Sequence, residues 1–280
     1  MITGKTNVVG LIGDPVEHSL SPIMHNAAFK KLKLDYVYVP FNVKSDNLTK
    51  SIIGAQNLNI KGLNVTIPHK RTIMDLTDFL DQSAQLIGAV NTIKFEDNMI
   101  KGYNTDGIGL VKSLEEITSI KNKKIIITGA GGAARAAAFE MVLHNSGEII
   151  IANRTPEKAV KLRDDIIGSI GGDVDALDLG SKFKKELDNA DILIDTTPIG
   201  MYPHVKEKPV ASAEDMHPDL IVMDLVYNPL KTGLLTEAEK IGAKTISGIK
   251  MLIYQGIESF HIWTGIKPPV KIFETALKIK

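Results

Sequence analysis

The segment that most constrains this chain is a short apolar run that ends in a cluster of small residues, 123-KKIIITGAGGAAR-135. Its isoleucines at 125–127 are typical of a strand that is buried on both faces. The alanine-rich stretch at 133–144 has apolar residues at helical spacing and predicts a helix. A strand, a glycine turn and a helix in this order direct backbone N–H groups and a helix N-terminus at a pyrophosphate.

The spacing of the small residues supports a dinucleotide site. Gly129, Gly131 and Ala134 follow the pattern G-x-G-x-x-A, in which the missing side chains let phosphates approach the backbone. The alternative is a tight strand-to-helix turn that binds nothing, and the flanking strand and helix favour the ligand site over it.

The end of the next strand indicates which dinucleotide is bound. The stretch 147–155 predicts a strand, and an NAD site usually places an acidic residue near its end to bind the ribose 2′-hydroxyl. Here Asn153, Arg154 and Thr155 stand at that end, and Lys158 follows one helical turn later. A guanidinium can hold a 2′-phosphate, which a carboxylate would repel. The pattern predicts NADP, and the alternative for Arg154 is a solvated surface charge.

The composition narrows the class of protein. Lys and Arg together number 33, as do Asp and Glu, so no bulk charge predicts a nucleic acid or an anionic membrane as partner. The chain has no cysteine, which excludes disulfides, thiol nucleophiles and cysteine metal sites. It lacks a signal-peptide pattern and an apolar stretch of about 18 residues, so we expect a cytoplasmic protein without a membrane span.

Hydroxyl groups gather at the predicted start of the first helix, within 13-GDPVEHSLSPIMHN-26. Ser21 as the N-cap and Pro22 as the first helical residue predict that start. Ser19 and Ser21, beside free N–H groups, would make a carboxylate site or would only cap the helix. His18 and His25 do not have a helical metal-binding spacing, so we predict no metal site.

A lysine follows the third predicted strand, 62-GLNVTIPHK-70, which we expect to end at Pro68. Lys70 would then lie on the first turn of the next helix, near Asn64 and Thr66. Ligands of α/β sheets gather at the carboxyl ends of strands. Lys70 would act there as a proton donor or acceptor, and the alternative is a surface lysine.

Two further strands are predicted at 88–96 and 99–107, joined by a turn at Asp97–Asn98. Asp106 precedes the helix that follows them. Taken alone, Asp106 is an N-cap, whereas beside Lys70 its carboxylate would orient an ammonium group.

The alternation of strands and helices divides the chain into two domains. We predict a Rossmann-like domain at 107–247 and a second α/β domain formed by 1–106 and 248–280, in which C-terminal helices complete the N-terminal part. We expect the catalytic cleft between them. Gln255 lies in the first of these C-terminal helices, where a solvated polar role is the local alternative.

Taken in order, these residues resemble the shikimate dehydrogenase family over essentially the whole chain. Each motif is weak alone, and the ordered set is specific. The resemblance implies an NADP-dependent oxidoreductase that reversibly reduces 3-dehydroshikimate to shikimate in aromatic amino-acid biosynthesis. The matching motifs are 19-SLSP-22 with 25-HN-26, 64-NVTIPHK-70, 88-GAVNT-92, 104-NTDG-107, 129-GAGGAAR-135, 153-NRT-155, 227-YNPLKT-232 and 248-GIKMLIYQG-256.

The resemblance also implies roles for the matched residues. Lys70 and Asp106 would form the catalytic pair. Substrate would be bound by Ser19, Ser21, Asn64, Thr66, Lys70, Asn91, Asp106, Tyr227 and Gln255. NADP would be bound by Gly129, Ala130, Gly131, Gly132, Ala133, Asn153, Arg154, Thr155, Lys158, Met201, Gly248 and Met251. The chain departs from common family patterns in 195-DTTPIGM-201, where Ser or Ala is frequent, and at Lys158, where some members carry Arg.

Two rival functions remain open at this point. One is a quinate/shikimate dehydrogenase that prefers NAD or accepts both dinucleotides; the cations around Arg154 disfavour NAD preference, and activity on quinate stays open. The other is a non-catalytic NADP-binding sensor, which the retention of Lys70 and Asp106 with Ser19 and Ser21 disfavours. A homodimer is compatible with the sequence, which does not define the oligomeric state.

Overall fold

The computed structural model describes residues 2–279 and divides the chain into two compact units. The chain changes units between Thr105 and Asp106 and again between Leu252 and Ile253. We call the residues before and after these points unit 1, and Asp106–Leu252 unit 2. The second change falls inside a continuous helix, Gly248–Thr264, where the sequence has no turn residue to mark it.

Unit 1 is built on a mixed six-stranded sheet with the order β2-β1-β3-β5-β6-β4. Strand β1 pairs in parallel with β2 and β3, whereas β5 pairs antiparallel with β3 and with β6. The strands are β1 Asn7–Gly13, β2 Tyr36–Asn42, β3 Gly62–Val65, β4 Phe79–Leu80, β5 Thr92–Glu96 and β6 Met99–Tyr103. The helices are α1 Ser21–Leu32, α2 Leu48–Asn57, α3 Gln82–Ile87, the part of α9 after Leu252, and α10 Val270–Ala276.

The β5–β6 hairpin confirms the predicted Asp97–Asn98 turn. Both residues have positive φ, 54° and 60°, which is the backbone of the two-residue turn that matches the twist of antiparallel strands. The register pairs Glu96 with Met99 and Thr92 with Tyr103. The hairpin therefore brings the segment before Asp106 next to the segment before Thr92.

Aromatic side chains from α1, β2, α9 and α10 pack together in unit 1. The His25 ring of α1 stacks on Tyr38 with centroids 4.5 Å apart and lies against Phe260 and Phe273. Complete burial lowers the pKa of His25 to about 3, so the ring is neutral. His25 is thus a core aromatic residue in this unit.

Unit 2 is built on an all-parallel six-stranded sheet with the order β12-β11-β10-β7-β8-β9. Its strands are β7 Ile125–Thr128, β8 Ile149–Ala152, β9 Val174–Leu177, β10 Ile192–Asp195, β11 Ile221–Asp224 and β12 Lys244–Ser247. Its helices are α4 Asp106–Glu115, α5 Gly132–Leu143, α6 Pro156–Ile170, α7 Ser181–Leu187, α8 Gly233–Lys240 and the start of α9. Every residue of β7, β8, β10 and β11 is buried, as expected for parallel strands with helices on both faces.

Three local predictions were wrong. Helix α1 begins at Ser21 itself with Leu20 as its N-cap, because the Ser19 hydroxyl already accepts the Ser21 N–H at 3.3 Å. Strand β3 ends at Val65, before Pro68, and Lys70 lies ahead of a 3₁₀ helix at Thr72–Leu76. The reason is a turn in which the His69 N–H bonds the Thr66 carbonyl, while its buried ring contacts the Val43 carbonyl at 2.6 Å.

Strand β11 ends at Asp224, so Tyr227 lies in the loop that follows. Strand β4 and helix α3 were not predicted, because they are only two and six residues long. Among residues 2–279, no helix combines the length and apolar character needed to cross a membrane.

Candidate active site

The glycine turn of unit 2 connects β7 to α5 through three glycines with different surroundings. Gly129 has φ +103°, and a Cβ there would overlap the Thr196 hydroxyl. Cβ atoms built at Gly131 and Gly132 meet no atom within 4 Å. Gly131 is the N-cap of α5 and provides no side-chain hydrogen bond. The turn therefore excludes a side chain at Gly129 and is open at Gly131 and Gly132, where a phosphate could approach the backbone.

The predicted 2′-phosphate residues lie between β8 and α6. Thr155 is the N-cap of α6, and the Asn153 amide donates to the Thr155 carbonyl at 2.9 Å. Arg154 and Lys158 are exposed, and Lys158 is the third residue of α6. Two cations at the start of a helix favour an anionic group through charge and through the helix dipole.

Two buried carboxyl groups lie at the carboxyl ends of adjacent strands of unit 2. Asp195 of β10 is the register partner of Asp224 of β11. Asp195 accepts from the Thr128 hydroxyl at 2.7 Å, and Asp224 accepts from the Thr232 hydroxyl at 2.5 Å. Burial and the neighbouring Asp195 raise the pKa of Asp224 to about 7, and burial raises the pKa of Asp195. The pair holds the loops that follow both strands.

Four more predicted site residues lie on those loops or at the start of α9. Met201 is exposed and Tyr227 is half-buried, and burial raises the pKa of the Tyr227 phenol. Gly248 begins α9 against the Leu225 carbonyl, where a Cβ would clash with backbone. Met251 is half-buried one turn later.

A network of buried amides and hydroxyls crosses unit 1. The Asn64 side-chain oxygen accepts from the Tyr38 hydroxyl at 2.8 Å. Its amide nitrogen lies 3.0 Å from Thr92 Oγ1 and 2.9 Å from Ser259 Oγ. Burial raises the pKa of the Tyr38 phenol, so the group stays neutral and donates to Asn64. The Asn64 amide is therefore engaged by protein groups at both ends.

Asn91 is held by Thr105 from two sides. The Thr105 N–H donates to Asn91 Oδ1 at 2.8 Å, and Asn91 Nδ2 donates to Thr105 Oγ1 at 2.9 Å. Thr92 Oγ1 also donates to Asn91 Oδ1 at 3.1 Å. A carboxamide fixed in this way has a defined orientation of its donor and acceptor atoms.

The remaining predicted residues of unit 1 lie around this network. Ser19 and Thr66 are half-buried, and the Lys70 carbonyl accepts the Val90 N–H at 2.7 Å, next to Asn91. Gln255 of α9 is 8% exposed, and its carbonyl accepts from Ser259. Asp106, the first residue of α4, belongs to unit 2 and is half-buried.

Sequence reasoning missed Tyr38, Thr92, Thr105, Ser259 and the Asp195–Asp224 pair. Thr92 and Thr105 both follow an asparagine, and this repeated Asn-Thr pair was the one available signal. Tyr38 and Ser259 stand in apolar segments, where nothing local distinguishes a polar contact from packing.

The strand order of unit 2 and the glycine turn after its central strand define a Rossmann-type dinucleotide-binding unit. Unit 1 holds a buried polar network, and the half-buried Lys70 lies beyond the end of β3. The combination is that of a dinucleotide-dependent oxidoreductase.

Comparisons with known proteins specify the family. Family models match for the shikimate dehydrogenase substrate binding domain at residues 11–93, for shikimate / quinate 5-dehydrogenase at 111–228 and for the shikimate 5′-dehydrogenase C-terminal domain at 248–278. The shikimate dehydrogenase (NADP⁺) of Methanobrevibacter smithii is 56% identical over 99% of this chain and 98% of its own length.

Solved structures give the same result. A crystal structure of shikimate dehydrogenase in complex with NADP⁺ has a TM-score of 0.95 and 54% identity, covering 100% of this chain and 98% of its own. The shikimate 5-dehydrogenase of Listeria monocytogenes, in complex with shikimate and NAD, has a TM-score of 0.93 and 40% identity, covering 99% and 98%. The chain belongs to the shikimate dehydrogenase family, which confirms the prediction from its motifs.

Proposed function

We propose that this protein catalyses the reversible reduction of 3-dehydroshikimate to shikimate with NADPH, as a step of aromatic amino-acid biosynthesis. Relatives at about 50% identity over 99% of the chain are NADP-dependent shikimate dehydrogenases. The observation that carries the proposal is the joint presence of the open glycine turn with Arg154 in unit 2 and the ordered amide network in unit 1.

The residues of unit 2 fit NADP. The open positions at Gly131 and Gly132 leave room for a pyrophosphate, and Arg154 and Lys158 present positive charge for a 2′-phosphate. When bound, NADPH supplies the hydride for the substrate carbonyl carbon. We assign the nicotinamide end to Met201, Gly248 and Met251, and the remaining dinucleotide contacts to Gly129, Ala130, Ala133, Asn153 and Thr155.

The residues of unit 1 suit a cyclic polyol with a carboxylate. Ser19 and Ser21 are assigned to the carboxylate, because hydroxyls and N–H groups at a helix start favour an anion. Thr66, Asn91 and Gln255 are assigned to the ring hydroxyls, with Asn64 and Tyr227 completing the substrate contacts. Asn91 suits this task because Thr105 fixes the direction of its amide.

Lys70 and Asp106 are assigned to the proton transfer. The substrate oxygen gains negative charge during reduction and must receive a proton. The Lys70 ammonium stabilises that oxygen and donates the proton, and Asp106 is assigned as the second member of the catalytic pair and to a substrate hydroxyl. In the oxidative direction, the neutral Lys70 amine accepts the same proton.

Substitution of Lys70 tests this assignment. Lys70→Ala is expected to lower kcat for shikimate oxidation about 10³-fold, in the range of a lost general acid–base group. Lys70→Arg should be nearly as slow, since a guanidinium keeps the charge but does not release its proton. The affinity for NADP, measured by calorimetry, should stay within about twofold because no proposed NADP contact is altered.

The matched control is Lys61→Ala, which removes a lysine of the same unit whose ammonium donates to the Asn59 side chain at 2.7 Å in an exposed position. It should leave kcat unchanged. Full activity in Lys70→Arg would contradict a proton-transfer role, and full activity in Lys70→Ala would exclude any catalytic role for this lysine.

Activity with quinate and use of NAD are the nearest alternatives within the family, and the Arg154 cluster argues against NAD preference. A non-catalytic NADP sensor would bind the dinucleotide without turnover. A homodimer and a cytoplasmic location stay predictions, and size-exclusion chromatography with light scattering tests the first.

A further inference from the structure

The unit 1 network has a centre that is not itself among the residues assigned to substrate. Ser259 of α9 is fully buried, and its hydroxyl oxygen lies within hydrogen-bond distance of four groups. These are Asn64 Nδ2 at 2.9 Å, Thr92 Oγ1 at 2.8 Å, Thr105 Oγ1 at 3.2 Å and the Gln255 carbonyl at 3.0 Å. Ser259 thereby joins β3, β5, the segment after β6, and α9.

One assignment of hydrogens satisfies every hydroxyl in this cluster. Ser259 donates to Thr92 Oγ1, its shortest contact at 2.8 Å, and accepts from Asn64 and Thr105. Thr92 then donates to Asn91 Oδ1, and the second N–H of Asn64 lies within reach of the Asn91 carbonyl and Thr92 Oγ1. Without the Ser259 oxygen, Asn64 would lose its 2.9 Å acceptor in a buried environment, and the Thr105 hydroxyl would be released to turn toward Asn91 Oδ1, 3.2 Å away.

We propose that Ser259 is a positioning residue for the substrate site, fixing the Asn64 carboxamide directly and the Asn91 carboxamide through the Thr105 hydroxyl. It acts without touching substrate. The proposal rests on the proposed function, since it takes Asn91 and Asn64 as substrate-site residues. Thr105 also immediately precedes Asp106 in the chain, so a looser Thr105 would reach the catalytic carboxylate as well.

A matched serine separates positioning from simple burial. Ser113 of α4 is also fully buried and bonds the carbonyl of the residue four positions earlier, Gly109, at 2.7 Å. This hydrogen bond is to backbone within the same helix. Ser113→Ala and Ser259→Ala therefore delete the same atom from equivalent helical positions, and only the second reaches the site network.

The test compares these two variants by steady-state kinetics. Ser259→Ala should raise KM for shikimate about tenfold, the equivalent of one lost buried hydrogen bond, and leave KM for NADP within about twofold. Ser113→Ala should lower the melting temperature comparably and leave both KM values unchanged. An unchanged shikimate KM in Ser259→Ala, or an equal rise in both variants, would overturn the proposal.

A double-mutant cycle locates the effect. Thr105→Val removes the hydroxyl and keeps the side-chain shape. Ser259→Ala combined with Thr105→Val should cost little more than Thr105→Val alone, because both substitutions break one connected network. Full additivity of the two KM effects would show that Ser259 does not act through Thr105 and would overturn that half of the proposal.

A ligand-free readout distinguishes failure of this inference from failure of the proposed function. Amide hydrogen exchange at Thr105, whose N–H is bound by Asn91, should accelerate in Ser259→Ala and not in Ser113→Ala. If the unaltered protein did not oxidise shikimate, the proposed function would fail. The exchange result would still decide whether Ser259 orders this network, since equal protection in both variants overturns the claim.

Discussion

The sites proposed in the two units would bind their ligands by different physical means. Unit 2 presents backbone: a turn in which Gly131 and Gly132 leave open space, at the start of α5, with cations added at Arg154 and Lys158. Unit 1 presents side chains: Asn64 and Asn91, each fixed by hydroxyls from other elements. A dinucleotide can be recognised by missing side chains, whereas a small polyol needs donors and acceptors at set positions.

This difference predicts how each site fails. A backbone site is damaged by adding an atom, and a side-chain network is damaged by removing one. Substitutions that add an atom and substitutions that remove one therefore test this comparison. Apart from the Lys70 variants described above, they follow in order of decreasing expected effect.

Adding a methyl group at two positions of the glycine turn should separate backbone strain in the protein from steric exclusion of the NADP pyrophosphate. Gly129→Ala places a Cβ at φ +103° against Thr196 and should destabilise unit 2 by about 1–3 kcal/mol, as well as weaken NADP binding. Gly131→Ala meets no atom within 4 Å, so it should leave stability unchanged and still weaken NADP binding about 10²-fold. Urea unfolding and NADP calorimetry measure the two effects. Unchanged NADP affinity in Gly131→Ala would contradict the backbone-binding account.

Reversing the charge at Arg154 should change the choice of dinucleotide. Arg154→Asp is expected to raise KM for NADP about 10–100-fold, the worth of one or two charge-assisted hydrogen bonds, with little change for NAD. Arg163→Asp, in the same unit but paired with Asp164, is the control and should change neither. Equal losses with NADP and NAD would show that Arg154 does not read the 2′-phosphate.

The buried acid pair should make stability depend on pH, with the smallest effect of the set. Because the pKa of Asp224 is raised to about 7 in the folded state, its proton stabilises the fold fully below about pH 4, and this contribution is lost as the pH rises through about 7. Asp224→Asn keeps a neutral group and should flatten the decline.

Urea unfolding at several pH values checks this prediction. Between pH 5 and 8, the free energy of unfolding should fall more for the unaltered protein than for Asp224→Asn. The exposed Asp188→Asn is the control, with no such trend. Parallel pH profiles for Asp224→Asn and the unaltered protein would mean that Asp224 does not carry the proton.

The same contrast explains what the sequence could predict. The strand, the glycine turn and Arg154 lie within about 30 residues, so local pattern was sufficient for the nucleotide unit, and the fold class, family and NADP-linked function are confirmed. The β5–β6 turn was equally local, since Asp97–Asn98 tolerates positive φ.

The unit 1 network could not be predicted in the same way. Asn64 and Ser259 are 195 positions apart and meet only because α9 returns to the sheet. Asp195 and Asp224 likewise meet only through strand register, at the ends of two separate apolar runs. Helix α1 begins one residue earlier than predicted, because the Ser19 hydroxyl accepts a hydrogen bond from the Ser21 N–H. The individual site roles stay predictions until substitution tests them.

The most direct test of the account is the initial rate of absorbance change at the NADPH band, measured with shikimate or quinate and with NADP or NAD. The account predicts strong turnover with shikimate and NADP and at least tenfold lower kcat/KM with each other pair, in line with one lost charge-assisted contact. Equal or faster turnover with NAD or quinate would contradict the assigned specificity, and NADP binding without turnover would contradict catalysis itself.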